Sequence, residues 1–238
     1  MKGFFTFFKY EFLSSAMPLA FTYGIGILAL LLLEYREISF SRKWFLYEFF
    51  LTNIVMMRAL LTTLIVGSFI AFGALLIVRA FQSFWVEIFG SRGYLTLTLP
   101  LSLDAILLSK IIVLAFWAVF GIYFAPVSMK ILYGPESFVR LLSVIYTQEV
   151  LIIFFHTLTI VIFYITLILF ITALLNALKV RTFVLFKGFG IALVIHLIWI
   201  PFAILTPFFS FLNIDKLFLS IIFYFAARYL IMYKLELE

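Results

Sequence analysis

The sequence contains few of the side chains with which proteins hold metals or attack substrates. It has no cysteine, so disulfides, thiolate metal sites and cysteine nucleophiles are excluded. Its two histidines, His156 and His196, lie in long apolar runs, with one carboxylate, Glu149, at the mouth of the first run. A metal site or a proton relay would need more carboxylates nearby. We therefore interpret both histidines as hydrogen-bonded packing residues, with a functional role inside a membrane as the alternative.

Nucleotide phosphates have no recognisable site in this sequence either. A phosphate-binding loop of the G-x-x-x-x-G-K-[S/T] type needs a Gly-Lys pair, and none occurs in the chain. Residues 24–29 match a loose dinucleotide-binding fingerprint, but no strand precedes them, and we interpret these glycines as helix-packing residues. The sequence thus predicts a protein that is not an enzyme and binds no cofactor. Any use of ATP would depend on another chain.

The polar segment between two apolar runs, residues 79–110, is the most informative part of the chain. It is longer than the few residues that a simple connection between helices needs. An apolar stripe at helical spacing predicts an amphipathic helix at its start, and the stripe comprises Phe81, Phe84, Trp85 and Ile88. On such a helix we expect Glu87 to face outward.

Turn and helix-start signals follow this amphipathic stretch. The glycines of residues 90–93 should break the helix. Residues 94–99 alternate between apolar and polar types, which by period alone indicates a short strand. Pro100 and Ser102 are typical of a new helix start, and Asp104 would lie in its first turn near the positive end of the helix dipole. This helix should continue through Lys110 into the next apolar run.

The same segment resembles a known family. Residues 93–102, GYLTLTLPLS, and residues 107–110, LLSK, are similar to a signature of ABC-2-type permeases, the membrane subunits of bacterial ABC exporters. The family often has an acidic residue before the Gly-Tyr pair, where this chain has Arg92. The resemblance implies a homodimer or heterodimer of permeases with separate ATP-binding subunits docked on this loop. The ATPase-coupling residues that it implies are Glu87, Arg92, Gly93, Tyr94, Pro100 and Asp104.

Long apolar runs must position this segment. Of 238 residues, 66% are hydrophobic and 12% are charged, a composition that indicates lipid as the main solvent. About 20 helical residues cross a bilayer core of about 30 Å. We predict an all-α membrane protein with six transmembrane helices, at about 17–33, 59–78, 111–129, 150–175, 188–207 and 217–233. The sixth helix requires that Arg228 extend its side chain to the nearer headgroups.

The expected domain organisation is simple. Residues 1–16 should form an amphipathic helix in the membrane interface, and residues 17–238 one transmembrane domain with a cytoplasmic coupling loop at 79–110. On the first helix the side chains expected to face lipid are Phe4, Phe5, Phe8 and Phe12. Two points stay open: the conformation of the 34–58 outer loop, and whether residues 207–213 re-enter the membrane or continue a kinked helix.

Basic residues set the expected orientation. If the N-terminus is inside, ten of the 17 Lys and Arg residues fall in cytoplasmic segments and the other seven in outer segments. This asymmetry favours cytoplasmic N- and C-termini. We interpret the positive charge as juxtamembrane residues facing anionic lipid, not as a nucleic-acid site. The resemblance to ABC-2-type permeases implies a location in the bacterial inner membrane, with several crossings.

These observations together favour the permease subunit of an ABC exporter. Because the apolar runs hold almost no charge, a hydrophilic cargo would leave polar groups unpaired at about 2–7 kcal/mol each, so we expect an apolar or amphipathic cargo. The alternative is a membrane anchor or assembly protein that transports nothing. A secondary transporter is disfavoured because the runs lack the ionisable residues that couple ions.

Overall fold

The chain folds into helices throughout the part that the structure describes. The computed structural model describes residues 2–40, 47–90, 93–131, 148–180, 182–205 and 213–234, and no β-strand occurs within these ranges. The α-helices described there are α1 Lys2–Phe40, α2 Tyr47–Phe84, α3 Gly93–Leu97, α4 Leu103–Ile131, α5 Gln148–Ala177, α6 Val184–Leu205 and α7 Ile214–Lys234. A π-helical turn, Trp85–Phe89, extends α2. The prediction of an all-α chain is confirmed.

Five of these helices are long and apolar enough to cross a membrane. The qualifying stretches are Gly3–Ala29, Ala59–Phe89, Leu103–Ile122, Ile152–Ala177 and Val184–Pro201. They match a protein that crosses a membrane several times. Helix α7 covers the sixth predicted crossing at 217–233 but is not among the five, and it carries four charged residues: Asp215, Lys216, Arg228 and Lys234. The sixth crossing therefore stays a prediction.

Helix α1 differs from the expected arrangement of an interfacial helix followed by a crossing. It continues without a break from Lys2 to Phe40, past Pro18. Phe4, Phe8 and Phe12 stack in sequence, with ring centroids 6.2 and 6.4 Å apart, and Phe12 packs against Phe116 of α4 at 5.4 Å. The four phenylalanines expected to face lipid thus contact one another along α1, with Phe5 against Phe4 at 5.6 Å and still 65% exposed. Phe12 is the one that packs on α4 in these contacts.

The chain packs as two compact units. The first comprises Met1–Ser14, Ile77–Phe116 and Ile152–Glu238. Its apolar core lies among α5, α6 and α7 and is built from Phe163, Leu167, Ile171, Leu175 and Phe223, with Trp85 packed against it. Gly188 of α6 packs beside α5, where a Cβ atom would lie 3.4 Å from the Ile171 side chain, close to ordinary van der Waals contact. This unit contains the whole 79–110 segment.

The second unit comprises Ser15–Leu76 and Trp117–Leu151. Its aromatic core centres on Tyr23, whose ring centroid lies 6.0, 5.6 and 5.4 Å from those of Phe69, Phe72 and Phe120. A Cβ atom on Gly26 would lie 2.4 Å from the Ser68 hydroxyl oxygen, so only glycine fits between α1 and α2. Gly26 is a packing residue, as its position in an apolar helix predicts. The same interpretation is wrong for Gly24, which is exposed and has no atom within 4 Å of a Cβ built there.

Candidate functional site

The turn signals between α2 and α4 produce the expected break but not the expected strand. The backbone N–H of Gly93 donates to the C=O of Gly90 at 2.8 Å, which closes the turn after the π-helix. Residues 94–97 belong to helix α3, so the strand indicated by their alternation is wrong. A lone strand would leave its backbone groups without partners, whereas here the N–H of Thr98 donates to the C=O of Tyr94 at 3.0 Å.

Helix α4 begins as the sequence predicts. The N–H of Ala105 donates to the Ser102 hydroxyl oxygen at 3.3 Å, and this contact satisfies one of the free donors at the helix start. Asp104 lies in the first turn. The helix then continues through Lys110 without interruption, so the end of the segment and the third predicted crossing belong to one continuous helix.

A buried charge network lies at the base of this segment. Lys110 is 1% exposed, and its ammonium donates to the Glu11 carboxylate at 3.0 Å and to the Ser83 hydroxyl at 3.1 Å. It also donates to the carboxylate of Glu87 on the π-turn. One lysine thus joins α1, α2 and the π-turn to α4.

Arg79 completes the network and balances its charge. Its guanidinium lies 3.4 Å from the Glu87 carboxylate and donates to the Ser14 hydroxyl at 2.6 Å. The Ser83 hydroxyl donates to Glu11 at 3.0 Å. The two acidic and two basic side chains therefore neutralise each other, which a group of buried charges requires. We call Glu11, Arg79, Ser83, Glu87 and Lys110 the charge network.

The first turns of α1 contribute an aromatic contact as well. The Lys110 ammonium lies 5.7 Å from the centroid of the Phe7 ring, within the range of a cation–π interaction. Gly3, one turn earlier, lies against Leu101, because a Cβ atom there would be 2.9 Å from the Leu101 side chain. The start of α1 therefore contacts the segment at Leu101 and at Lys110.

A second ionic contact joins α4 to α7. The Asp104 carboxylate accepts hydrogen bonds from the Tyr224 hydroxyl at 2.8 Å and from Nε of Arg228 at 2.7 Å. The Arg228 and Asp104 side chains are 34% and 40% exposed, so solvent screens this pair more than the charge network. Arg228 pairs with Asp104, which corrects the expectation that it extends to lipid headgroups.

The structure assigns different roles to the residues that the sequence singled out. Glu87 was expected to face outward, and this is wrong: its side chain is 17% exposed and pairs with Lys110 and Arg79. Asp104 is also paired, and Gly93 is buried. Arg92 lies outside the described residues. Among the six, Tyr94 and Pro100 are the exposed ones that the structure describes.

Exposed apolar side chains lie on the segment among exposed polar ones. Tyr94 is 65% exposed, Leu95 67% and Leu99 39%. We call these three residues the apolar tip. They lie between the candidate crossings Ala59–Phe89 and Leu103–Ile122, hence beyond the ends of both. The charged residues thus hold the segment in place, and the apolar tip lies on its surface beside the exposed Thr98 and Ser102.

Sequence reasoning missed Glu11, Ser83 and Lys110 as members of a site. A signal did exist for Lys110: its helical neighbours Ile106, Leu107, Val113 and Leu114 are all apolar, and all are buried. A charge on such a helix face must find a partner. The identity of that partner, Glu11, was not readable because it lies 99 positions away.

The histidines behave differently from each other. His196 Nδ1 lies 2.8 Å from the C=O of Ala192, and its ring stacks on Tyr164 with centroids 5.7 Å apart, as a packing histidine would. His156 is exposed, and its backbone C=O accepts a hydrogen bond from Asn213 at 3.4 Å. Within the described ranges no three His, Asp or Glu residues come together in a way that could hold a metal ion.

The described residues belong to the class of helical proteins that can cross a membrane several times, with five helices that are long and apolar enough. The connection between two of these helices is held by the charge network. No protein-family model matches the sequence, and neither a curated protein nor a solved structure is similar to it.

Proposed function

We propose that this chain is the permease subunit of an ATP-driven exporter of the ABC-2 type, powered by a separate ATPase subunit. The apolar tip on its charge-braced base is the observation that carries the proposal. An exposed Tyr-Leu pair beyond the ends of two candidate crossings offers a soluble partner a small apolar anchor, and such anchors dominate the energetics of protein interfaces. The similarity of residues 93–102 and 107–110 to the family signature supports the same proposal.

The bracing gives the tip a mechanical role. The π-turn extends α2 and α4 begins at Leu103, so both flanking helices run from the tip directly into candidate crossings. The charge network ties them to α1 at the same level. A partner that pushes on Tyr94 or Leu95 would therefore move helix ends as a group instead of bending a loose loop. Glu87 and Asp104 act in this proposal as bracing residues.

The remaining parts of the proposal follow from the sequence. We propose six crossings, formed by α1, α2, α4, α5, α6 and α7, with the start of α1 at the cytoplasmic interface and both termini in the cytoplasm. The location is the bacterial inner membrane, and the working unit pairs this chain with a second permease copy or a similar one. The cargo is apolar or amphipathic, since the crossings carry few charges to line an aqueous path.

Copurification with an ATPase subunit encoded beside this chain tests the proposal. Tyr94→Asp with Leu95→Asp places charge in the apolar tip and should abolish copurification and ATP-driven transport while membrane insertion continues. Tyr233→Asp is the matched control, because this tyrosine is 72% exposed near the end of α7. It should retain both activities.

Three results would contradict the proposal. The first is ATP hydrolysis by the isolated chain after contaminating ATPases are removed. The second is normal copurification and transport by the Tyr94→Asp, Leu95→Asp variant. The third is partner binding without any cargo-stimulated hydrolysis, which would favour the anchor or assembly protein. Stimulation by sugars or amino acids but not by amphipathic compounds would overturn the cargo assignment alone.

A further inference from the structure

The turn between α5 and α6 combines exposed basic and aromatic side chains. Lys179 and Lys187 are exposed, and Phe183 and Phe186 are 80% and 79% exposed. We call these four residues the basic aromatic turn. Arg181 lies outside the described residues and is not part of the site. The candidate crossing Ile152–Ala177 ends just before these residues. The crossing Val184–Pro201 begins among them and has Phe186 and Lys187 in its first turn, so the four residues lie at a membrane boundary.

Local structure presents the turn outward. Helix α5 ends at Ala177, and Lys179, two residues later, has a φ of 56°. The N–H of Val180 donates back to the C=O of Leu175 at 3.0 Å. Val184 and Gly188 of α6 face the α5 core, and Gly188 is buried against Ile171. The opposite face of α6 therefore carries Phe186, with Lys187 beside it, away from the protein core.

Charge decides which partner fits this surface. The sequence has no Asp or Glu between Glu149 and Asp215, so the turn and both flanking crossings form an acid-free basic region. Phe183 holds a φ of 53°, a backbone conformation unfavourable for a bulky residue, while its ring stays exposed. Aromatic rings beside lysines at a membrane boundary suit lipid, with the rings at acyl-chain level and the ammonium groups at the phosphates.

We propose that the basic aromatic turn binds the headgroup of an anionic phospholipid, with Lys179 and Lys187 at the phosphate and with Phe183 and Phe186 against the acyl chains. The site does not depend on the proposed transport function. Each lysine near an anionic lipid surface contributes enough to change binding several-fold. A zwitterionic lipid offers no net charge and should bind there much less well.

Lipid titration of the purified full-length chain in detergent, read by native mass spectrometry, tests this site. With phosphatidylglycerol as the probe, Lys179→Gln with Lys187→Gln should weaken binding of the tightest lipid roughly tenfold, and Lys187→Gln alone several-fold. Phosphatidylcholine binding should not change. Lys9→Gln with Lys234→Gln removes the same charge from exposed lysines elsewhere and should leave phosphatidylglycerol binding unchanged.

Several outcomes would overturn the proposal. If the Lys9→Gln, Lys234→Gln control loses as much phosphatidylglycerol binding, the effect comes from the net charge of the protein and not from this site. If phosphatidylglycerol binding is unchanged in both variants that carry Lys187→Gln, the proposed site does not bind the lipid. Displacement of the lipid by inorganic phosphate at millimolar concentration would identify a free-phosphate site in its place. Phe183→Ser with Phe186→Ser should weaken phosphatidylglycerol binding too, and a variant that binds like wild type would show that the rings contribute nothing.

Discussion

The ammonium of Lys110 lies 3.0 Å from the carboxylate of Glu11, although the two residues are 99 positions apart in the chain. Both side chains are nearly inaccessible, at 1% and 8% exposed. A buried pair of this kind adds little net stability relative to apolar residues, but removal of one partner leaves an uncompensated charge. The pair therefore favours the arrangement of α1 and α4 that joins these two groups, because any other arrangement would leave a buried charge without its partner.

Removal of the central cation should destabilise the chain strongly. Lys110→Met leaves the Glu11 carboxylate buried without its cation, and we expect the free energy of unfolding in detergent to fall by about 3–5 kcal/mol. Glu11→Gln with Lys110→Met should lose less than Lys110→Met alone, since Glu87 keeps Arg79 as its partner. The free energy of unfolding of each variant is measured by denaturant titration, with circular dichroism as the signal. The control is Lys9→Met at an exposed position, and a Lys110→Met variant as stable as that control would disprove the network.

The ion pair between α4 and α7 should matter far less. Arg228→Gln removes the contact with Asp104, but both side chains are more than a third exposed. Solvent can solvate the remaining carboxylate, and the expected loss is about 0–1 kcal/mol. The same unfolding assay ranks this variant against Lys110→Met. A loss from Arg228→Gln that equals or exceeds that of Lys110→Met would reverse our assignment of which charges hold the segment.

The close contact between α1 and α2 at Gly26 should be destabilised by the addition of one methyl group. Gly26→Ala would place its Cβ 2.4 Å from the Ser68 hydroxyl oxygen, and we expect a loss of about 1–3 kcal/mol. Gly24→Ala is the matched control two residues earlier, where no atom lies within 4 Å, and helix propensity should make it neutral or slightly stabilising. Gly26→Ala with Ser68→Ala should recover part of the loss. Equal effects at both glycines would contradict the packing.

A disulfide should join the start of α1 to the connection before α4. A Cβ atom built at Gly3 would lie 2.9 and 3.9 Å from two Leu101 side-chain carbons, and the chain has no native cysteine to compete. Gly3→Cys with Leu101→Cys should therefore form a detectable fraction of disulfide under mild oxidation. Disulfide formation is measured as the loss of thiols that can react with a maleimide reagent, and reduction should restore both thiols. Each single variant should keep one reactive thiol, and persistence of both thiols in the double variant would place α1 away from this segment.

Membrane sidedness follows from the basic residues and can be tested by thiol labelling. In right-side-out vesicles, Leu95→Cys in the apolar tip should react with an impermeant reagent only after the membrane is opened. A cysteine at residue 136 should react before opening, because the sequence places it in an outer segment. Labelling of both from the same side would contradict the six-crossing topology.

Sequence alone determined the helices and their apolar character. Continuous apolar runs can bury their backbone polar groups in lipid only as helices, so the class of fold followed from composition and run length. The sequence also predicted the helix break at Gly90 and Gly93 and the cap at Ser102. Each depends on hydrogen bonds between residues only a few positions apart. The alternation of residues 94–99 gave a wrong prediction of a strand, because the described part of the chain holds no second strand with which it could pair.

Only the tertiary structure decided which charges work together. Helical spacing predicted a surface position for Glu87. In the structure α1 packs against α2 and α4, and Glu87 is enclosed there with Lys110 and Arg79. The same packing set Arg228 against Asp104, 124 positions away. A one-dimensional pattern reports which helix face a residue occupies, not what lies opposite that face. Partners for buried charges are chosen across the bundle, where desolvation penalises every arrangement that leaves an ion alone.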